Sequence, residues 1–299
     1  MTSDQEKVPV RVGDRMLTLS NLDKVLYPAA GFTKAQVIDY YQRIAPVLLP
    51  HIAGRPLTFK RYPDGVDGQY FYQKQAPAHR PGWVPTASIA SPGSTKSRDT
   101  VLYVLAGDLP TLIRAANLAD LEIHTPMWRY PTVGQPDLLV FDLDPGPPAT
   151  IVDCCRVALL LRPLLAELGL RPVAKTSGGK GMQLYAAISG RTSDQASDLA
   201  RGLAEQLEHQ HPGQVVSRMT RALRPGKVLI DWSQNNGAKT TISPYSLRAM
   251  ARPTVSTPVT WDEVEACGQV SDLVFTSDQV LDRVARSGDI FGPACAAPS

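Results

Sequence analysis

The sequence has few cysteines, and they are not spaced to build a site. Only four of its 299 residues are cysteine, with no CxxC pair and no histidine at a spacing that would close a zinc site. These four are Cys154, Cys155, Cys267 and Cys295. The pattern argues against a disulfide framework or a structural zinc, and it indicates reduced thiols in a cytoplasmic protein.

Long apolar runs are also missing. The first residues are polar and lead into no hydrophobic segment, and the most apolar later stretch, 157–170, is interrupted by Arg162 and Glu167. We therefore expect a protein that is neither exported nor membrane-spanning. The 22 glycines and 26 prolines are too few and too irregularly placed for a fibrous or disordered chain, so a globular protein is predicted.

The net charge is small, but the charges are unevenly distributed. A formal charge of +3 gives by itself no reason to expect a nucleic-acid partner. Between residues 215 and 252, however, seven lysines and arginines accompany a single acid, Asp231, whereas residues 253–299 contain seven acids and two arginines. The basic stretch predicts a surface that contacts phosphate, with an ordinary solvated face as the alternative.

Hydrophobic periodicity predicts strands and helices that do not strictly alternate. Predicted strands cover 57–62, 70–74, 137–144, 172–175, 182–188 and 227–232. Predicted helices begin near Thr33, span 151–168 with a kink at Pro163, and run from a cap at Ser193 to about Gln210. Residues 77–92 are predicted to be a surface loop. This order favours an α+β fold with a mixed or antiparallel central sheet and two lobes in one compact unit.

The helix predicted over 151–168 has leucines at helical spacing, which predict its buried face. They are Leu159, Leu160, Leu164, Leu165 and Leu168.

Three carboxylates form the first candidate site. Period-2 geometry places Asp142 and Asp144 on one face of the strand 137–144, and Asp231 lies near the end of a later strand. Neighbouring negative charges are costly unless cations neutralise them, so divalent ions with oxygen ligands, as in two-metal phosphoryl transfer, suit this pattern. The alternative is that these aspartates merely end strands and begin turns.

A glycine-rich loop forms the second candidate site. Residues Ser177-Gly-Gly-Lys180-Gly181 offer a hydroxyl, flexible backbone N–H groups and one ammonium, which suit a triphosphate. The spacing is not that of a Walker A loop. A plain hairpin turn is the alternative.

Together these segments resemble a known family. Residues 140–146, 177–183 and 230–235 are similar to the three motifs of the archaeo-eukaryotic primase superfamily, and more narrowly to the polymerase domain of bacterial ligase D. The resemblance extends over about residues 20–291. Further matching segments are 22–28, 51–56, 121–124 and 240–248.

The resemblance implies a primase-type fold over residues 21–292, preceded by an N-terminal extension, 1–20, and followed by a flexible tail, 293–299. It implies a nucleotidyltransferase of the primase-polymerase type. Such an enzyme uses manganese or magnesium and adds nucleotides, preferentially ribonucleotides, to a primer at short 5′-phosphorylated gaps or broken DNA ends, as in non-homologous end joining. A bacterial nucleoid-associated protein is expected, with a separately encoded DNA ligase and an end-binding protein as partners and no membrane.

The resemblance also implies residue roles. Asp142, Asp144 and Asp231 would hold the metal ions, with Arg224 beside them. The nucleotide-binding residues would be Lys60, His124, Ser177, Lys180, Gln183 and Arg248. The DNA-binding residues would be Phe71 and Tyr72 at the template base and Lys24 and Lys34 at a downstream 5′-phosphate. Core packing of Phe71 and Tyr72 is the alternative.

Two departures from the family pattern lead to further expectations. Gln183 stands where the second motif commonly ends in histidine, so it can hydrogen-bond phosphate but cannot carry charge. The chain also contains no ligase-like lysine motif, which suggests a stand-alone polymerase.

Two other functions remain open. A non-catalytic module that binds DNA gaps or ends is one alternative. A haloacid-dehalogenase-like phosphatase is the other, although Pro145 stands where that family expects threonine or valine soon after the second aspartate.

Overall fold

The structure, a computed structural model, describes residues 7–90 and 99–292. Its strands are β1 (Lys7–Val12), β2 (Arg15–Ser20), β3 (Val25–Tyr27), β4 (Phe32–Thr33), β5 (Thr58–Arg61), β6 (Phe71–Gln73), β7 (Thr86–Ala90), β8 (Thr100–Val104), β9 (Asp120–Thr125), β10 (Leu138–Pro145), β11 (Val173–Thr176), β12 (Met182–Ala187), β13 (Val215–Val216), β14 (Val228–Asp231), β15 (Thr241–Ile242) and β16 (Pro258–Val259). Its helices are α1 (Lys34–Ile52), α2 (Leu109–Asn117), α3 (Ile151–Glu167), α4 (Ser193–Gln210), α5 (Trp261–Ala266) and α6 (Ser277–Ser287). No helix in the described ranges is long and apolar enough to cross a bilayer.

Two sheets dominate the fold. One has six strands in the order β13-β14-β10-β12-β11-β16, antiparallel except for the parallel pair β13 and β14. The other has four antiparallel strands in the order β15-β9-β5-β6. The prediction of an α+β fold with mixed and antiparallel sheets is therefore confirmed.

Strand β10 separates the two large hydrophobic cores. Its residues Leu139, Phe141 and Leu143 pack with helices α3 and α4 in one core. Leu138 and Val140, on the opposite face, belong to the core that contains α1, α2 and the four-stranded sheet. Because side chains alternate along a strand, Asp142 and Asp144 share the face of Leu138 and Val140, away from α3 and α4.

Most predicted elements are confirmed within a few residues, and the exceptions have local causes. The N-cap of α4 is Thr192, not Ser193, because the Thr192 side chain forms a capping box with Gln195. Residues 86–90 of the predicted loop form β7, which pairs with β8; Ala87 and Ile89 are buried there in strand alternation. Residues 91 and 92 of that loop lie outside the described residues.

The buried face of α3 was predicted wrongly. Leu168 is 51% exposed because it follows the last helical residue, beyond the sheet. Leu159, Leu160 and Leu164 are only partly buried. Leu165 is fully buried, as expected, and the helix turns its other buried residues to the sheet. They are Ile151, Cys154, Cys155, Val157, Ala158 and Leu161.

The first described residues form a hairpin that periodicity did not predict. Strands β1 and β2 pair from Lys7 with Ser20 to Val12 with Arg15. Val12, Leu17 and Leu19 enter the core that contains α1 and α2. The segment 7–20 therefore packs on the domain. The expected tail, 293–299, with Cys295 lies outside the described residues.

Candidate active site

The central strand β10 brings three aspartates together. Asp142 lies opposite Asp231 of β14 on one side and opposite Gln183 of β12 on the other. Asp144 lies two residues further along β10 and therefore points to the same face as Asp142. Sheet register thus joins the first motif to both later motifs.

Crowding and burial perturb these carboxylates. Burial, the Asp144 charge and the Asp231 charge together raise the pKa of Asp142 to about 7, against the effect of a hydrogen bond from Gln183. Burial and Asp231 also raise the pKa of Asp144, while the nearby Arg224 guanidinium lowers it. The ionised forms are therefore costly without added positive charge, which a divalent cation supplies.

Asp231 faces its own turn. Its Oδ1 accepts a hydrogen bond from Ser233 N at 3.0 Å, and its Oδ2 accepts one from Gln234 Nε2 at 2.8 Å. Among the residues that the structure describes, no three acidic, histidine or cysteine side chains already form a metal-holding cluster. The donor chemistry fits magnesium or manganese, and a third ligand from Asp231 requires its side chain to leave the turn.

Gln183 connects Asp142 to a buried lysine. Gln183 Nε2 donates to Asp142 Oδ1 at 3.1 Å, while Gln183 Oε1 accepts from Lys175 Nζ and from Tyr185 Oη. Lys175 Nζ also donates to Ser256 Oγ at 2.7 Å. The lysine is completely buried. Because the amide oxygen is held by two donors, the amide nitrogen faces Asp142. Sequence reasoning missed Lys175, since nothing in its pattern distinguishes it from an ordinary strand residue.

The glycine-rich loop connects β11 to β12, which pair as an antiparallel hairpin. Ser177 Oγ accepts hydrogen bonds from the backbone N–H groups of Gly179 and Gly181, each at 3.2 Å. Gly178 has φ +70, and a Cβ there would stand 2.5 Å from Arg248 Cγ. Glycine therefore allows Arg248 to reach the loop, and Lys180 lies exposed on it. The loop is therefore the turn of a β-hairpin, as the alternative interpretation stated, and this turn leaves Lys180 accessible to a ligand.

The four-stranded sheet contributes a cationic cluster around one acid. Glu122 Oε2 contacts His124 Nε2 at 3.0 Å and accepts from Arg248 Nη1 at 3.3 Å. Glu122 Oε1 accepts from the N–H of Ala249 at 3.0 Å, and Lys60 Nζ lies 4.0 Å away. Burial alone would raise the pKa of Glu122, but the His124 hydrogen bond and the Arg248 charge lower it to about 2. Residues 121–124 match the family in sequence, but the resemblance assigned no role to Glu122.

Aromatic side chains stand beside this cluster. Phe71 and Tyr72 are 46% and 56% exposed, so the core-packing alternative is wrong. Tyr72 lies opposite Lys60 in the pairing of β6 with β5, and its ring meets that of His124 edge to face at 6.1 Å. Phe71 points to the other face of β6, where Arg61 lies over its ring.

Lys24 and Lys34 differ in their burial and in their partners. Lys24 Nζ pairs with Asp64 Oδ1 at 2.8 Å, whereas Lys34 is 5% exposed and donates to the carbonyl of Ser20. Burial, together with the charges of Lys24 and Arg61, lowers the pKa of Lys34 to about 8.

Arg224 lies close to the carboxylates through the turn after β10. Its carbonyl would be 2.1 Å from a Cβ at Gly146, so glycine is required for this approach. Its Nη2 donates to the Met219 carbonyl at 2.7 Å, and its buried Nε has no hydrogen-bond partner among the described residues. The Arg224 charge lowers the pKa of Asp144.

Comparison with known proteins decides the family. A family model described as the LigD primase-polymerase domain matches residues 33–291. This chain belongs to that family. Membership in the LigD primase-polymerase family confirms the predicted resemblance and the enzyme class, a nucleotidyltransferase of the primase-polymerase type. The phosphatase alternative is therefore wrong.

Individual relatives support the same assignment. The chain is 46% identical to the multifunctional non-homologous end joining protein LigD of Mycolicibacterium smegmatis over 278 residues, which cover 92% of this chain and 35% of that protein. It is 30% identical to the bifunctional LigD of Bacillus subtilis over 274 residues, which cover 91% of this chain and 43% of that protein. It thus spans well under half the length of these LigD proteins.

A solved structure has the same fold. The polymerase domain of Mycobacterium tuberculosis ligase D, in complex with DNA, superposes with a TM-score of 0.87 at 42% identity. The match covers 95% of this chain and 99% of that one. The predicted primase-type fold is thereby confirmed.

Proposed function

We propose that this chain is a template-directed polymerase that extends a primer 3′-hydroxyl across short 5′-phosphorylated DNA gaps or at broken ends, with a preference for ribonucleotides. One observation carries the proposal. Arg248 touches both the glycine-rich loop and Glu122, so the carboxylate-bearing sheet and the cationic cluster of the other sheet meet at one place. A triphosphate needs cations along its length and metal ligands at its reacting end.

Asp142, Asp144 and Asp231 would hold two divalent ions at the reacting end. Bound there, such ions activate the primer hydroxyl and neutralise the triphosphate. The chain's own residues then orient the reactants. Gln183 fixes one oxygen of Asp142, and Arg224 offsets the charge of Asp144.

The remaining site residues fit the nucleotide and the DNA. Lys60, Ser177, Lys180 and Arg248 would bind the triphosphate, with Gln183 near its metal-bound end and His124 at the sugar. The exposed rings of Phe71 and Tyr72 offer stacking surfaces for bases. Lys24 and Lys34 would bind a 5′-phosphate, which is present only where a downstream strand exists.

The biological setting follows from this reaction. The substrate would be gapped or broken double-stranded DNA, and the natural partners would be an end-binding protein and a DNA ligase that seals the product. A bacterial nucleoid location would follow from the DNA substrate. Residues 21–292 would form the catalytic unit, with the 7–20 hairpin packed on it.

Primer extension tests the proposal directly. A labelled primer on a short gap with a 5′-phosphate is incubated with manganese and with ribonucleotides or deoxyribonucleotides. We expect extension by the wild type, stronger with ribonucleotides, and none by Asp142→Ala, which still binds the gap because it loses a metal ligand and no phosphate contact. Gap binding by wild type without any extension would favour the non-catalytic module instead.

A further inference from the structure

Glu122 has no role in the mechanism above, yet it lies at the centre of the nucleotide-binding residues. It is 2% exposed, and its two oxygens contact His124, Arg248 and the N–H of Ala249. Glu122 and His124 are two residues apart on β9 and therefore share one face of the sheet. The strand itself holds the carboxylate against the imidazole.

This contact fixes where the imidazole carries its proton. The pKa of Glu122 is about 2, so at neutral pH its carboxylate only accepts hydrogen bonds, and His124 Nε2 must be the donor. Burial lowers the pKa of His124, and the charges of Arg248 and Lys60 act in the same direction against that of Glu122. The ring is therefore neutral, with its single proton on Nε2.

The other ring nitrogen is then a bare acceptor. His124 Nδ1 has no hydrogen-bond partner within residues 7–90 and 99–292. A neutral imidazole that donates through one nitrogen presents a lone pair at the other. A sugar hydroxyl that donates to Nδ1 would complete its hydrogen bonding.

We propose that Glu122 is a positioning residue that holds His124 in its Nε2–H tautomer, so that Nδ1 accepts a hydrogen bond from the 2′-hydroxyl of a bound ribonucleotide. The inference rests on the proposed function, which places the nucleotide sugar at His124. A deoxyribonucleotide lacks the hydroxyl and would leave Nδ1 unpaired, and sites built to bond a substrate hydroxyl reject analogues without it. Glu122 would thereby set the sugar preference without touching the nucleotide.

Two measurements that need no catalysis test this. Nitrogen-15 NMR of the histidine ring reports which nitrogen is protonated in the free protein. Equilibrium binding with manganese compares ATP, dATP and 2′-deoxy-2′-fluoro-ATP, whose fluorine cannot donate. We expect a protonated Nε2 and a bare Nδ1, and we expect the fluoro analogue to bind as weakly as dATP.

Glu122→Gln supplies the variant. Its amide oxygen can still accept a hydrogen bond from Ala249 N, so its amide nitrogen points toward His124. Because that nitrogen donates, His124 Nε2 must accept, and the ring proton moves to Nδ1. We expect the ratio of ATP to dATP affinity to fall about tenfold, the value of one lost hydrogen bond. The matched control is Glu263→Gln, which removes a carboxylate charge paired with Arg283 elsewhere and should keep the wild-type ratio.

Several results would overturn the inference: a wild-type ring protonated on Nδ1, a fluoro analogue that binds as tightly as ATP, or an unchanged ratio in Glu122→Gln. If Glu122→Gln fails to fold, the wild-type spectrum and the fluoro comparison still decide. Failure of the proposed polymerase function can be distinguished from failure of this inference. If the protein shows no primer extension but the expected binding ratios, the catalytic role is wrong and the role of Glu122 stands.

Discussion

Asp142 lies directly opposite Asp231 where β10 pairs with β14, so two aspartates of different motifs occupy paired positions of one ladder. Like charges at such positions destabilise a sheet. A bound cation or protonation of one carboxylate would therefore relieve a repulsion that the Gln183 hydrogen bond and the Arg224 charge offset in part. The protein's stability without metal should depend on pH through these residues.

The first prediction concerns Asp142→Asn in metal-free buffer. The pKa of Asp142 is about 7 in the folded protein against an ordinary 3.8, so the folded state holds a proton that the unfolded state loses first. The stability contributed by this group is complete below about pH 4 and is lost as pH rises toward 7. Asparagine cannot ionise, so the Asp142→Asn variant does not lose this stability as pH rises. We expect the variant to exceed wild type by at most about 4 kcal/mol at pH 8, because a pKa difference of about three corresponds to about 1.4 kcal/mol per pKa unit, and by little at pH 4.

Urea denaturation at both pH values measures this difference. Added manganese should stabilise the wild type and leave the asparagine variant nearly unchanged. Asp198→Asn, at an exposed position of α4, is the control and should follow the wild type. A constant difference between Asp142→Asn and wild type from pH 4 to 8 would contradict the prediction.

The second prediction concerns the link from Gln183 to Lys175. Gln183→Leu removes an acceptor of the fully buried Lys175 amine, whose pKa burial lowers well below its ordinary value, and it also removes the hydrogen bond to Asp142. We expect a loss of about 1–3 kcal/mol in unfolding free energy, the cost of leaving a buried polar group without one of its partners.

Gln183→Leu combined with Lys175→Met should regain most of that stability, because the buried amine that lost its acceptor is then gone as well. Chemical denaturation of the two single variants and the double variant gives the coupling energy between the residues. Additive losses would show that Lys175 does not depend on Gln183.

The elements were predictable where the pattern was local, and the site contacts were not. The strand 137–144 and the helix 193–210 follow from apolar periodicity, and the structure has them at Leu138–Pro145 and Ser193–Gln210. The pairing of Asp142 with both Asp231 and Gln183 depends on sheet order, which periodicity does not specify; the family motifs supplied it.

Glu122 and Lys175 escaped prediction for a related reason. Each lies within a short strand, and each gains its role from residues far along the chain, Arg248 for Glu122 and Ser256 for Lys175. Their burial, at 2% and 0% exposure, is visible only in the structure, because glutamate and lysine are mostly exposed. The burial of Leu168 was predicted wrongly, because helical spacing predicts which face of a helix is apolar but not the residue at which the helix ends.

The third prediction separates the two exposed rings on β6. Tyr72 shares a face with Lys60 and His124, whereas Phe71 lies on the opposite face over Arg61. Tyr72→Ala should therefore raise the KM for the incoming nucleotide, and Phe71→Ala should weaken binding of the template strand. Each effect should be about tenfold, within the range for one base stacked on an aromatic ring.

Both variants should lose little stability, because both side chains are about half exposed. Nucleotide titrations in primer extension and equilibrium binding of gapped DNA distinguish the two effects. Equal changes in both measurements for both variants would show that the two rings form a single surface.

The last prediction concerns Lys24 and Lys34, the two lysines that we propose bind a 5′-phosphate. The pKa of Lys34 is about 8 in the free protein because burial, Lys24 and Arg61 all disfavour its charge. Its ammonium is therefore present at pH 7 and is progressively lost above pH 8, while a terminal phosphate stays doubly charged over that range. The preference for a 5′-phosphorylated gap over a 5′-hydroxyl gap should be largest near pH 7 and should decline as pH rises through 8 to 9.

Lys24→Ala combined with Lys34→Ala should abolish both the preference and its pH dependence, whereas Lys34→Arg should keep the preference at pH 9, since arginine remains charged. Equilibrium binding of matched gaps at pH 7, 8 and 9 measures each ratio, with Arg201→Ala, an exposed cation on α4, as the control. A preference that survives the double substitution would place the phosphate elsewhere on the protein, and one that survives at pH 9 in the wild type would show that Lys24, not the buried Lys34, carries the contact.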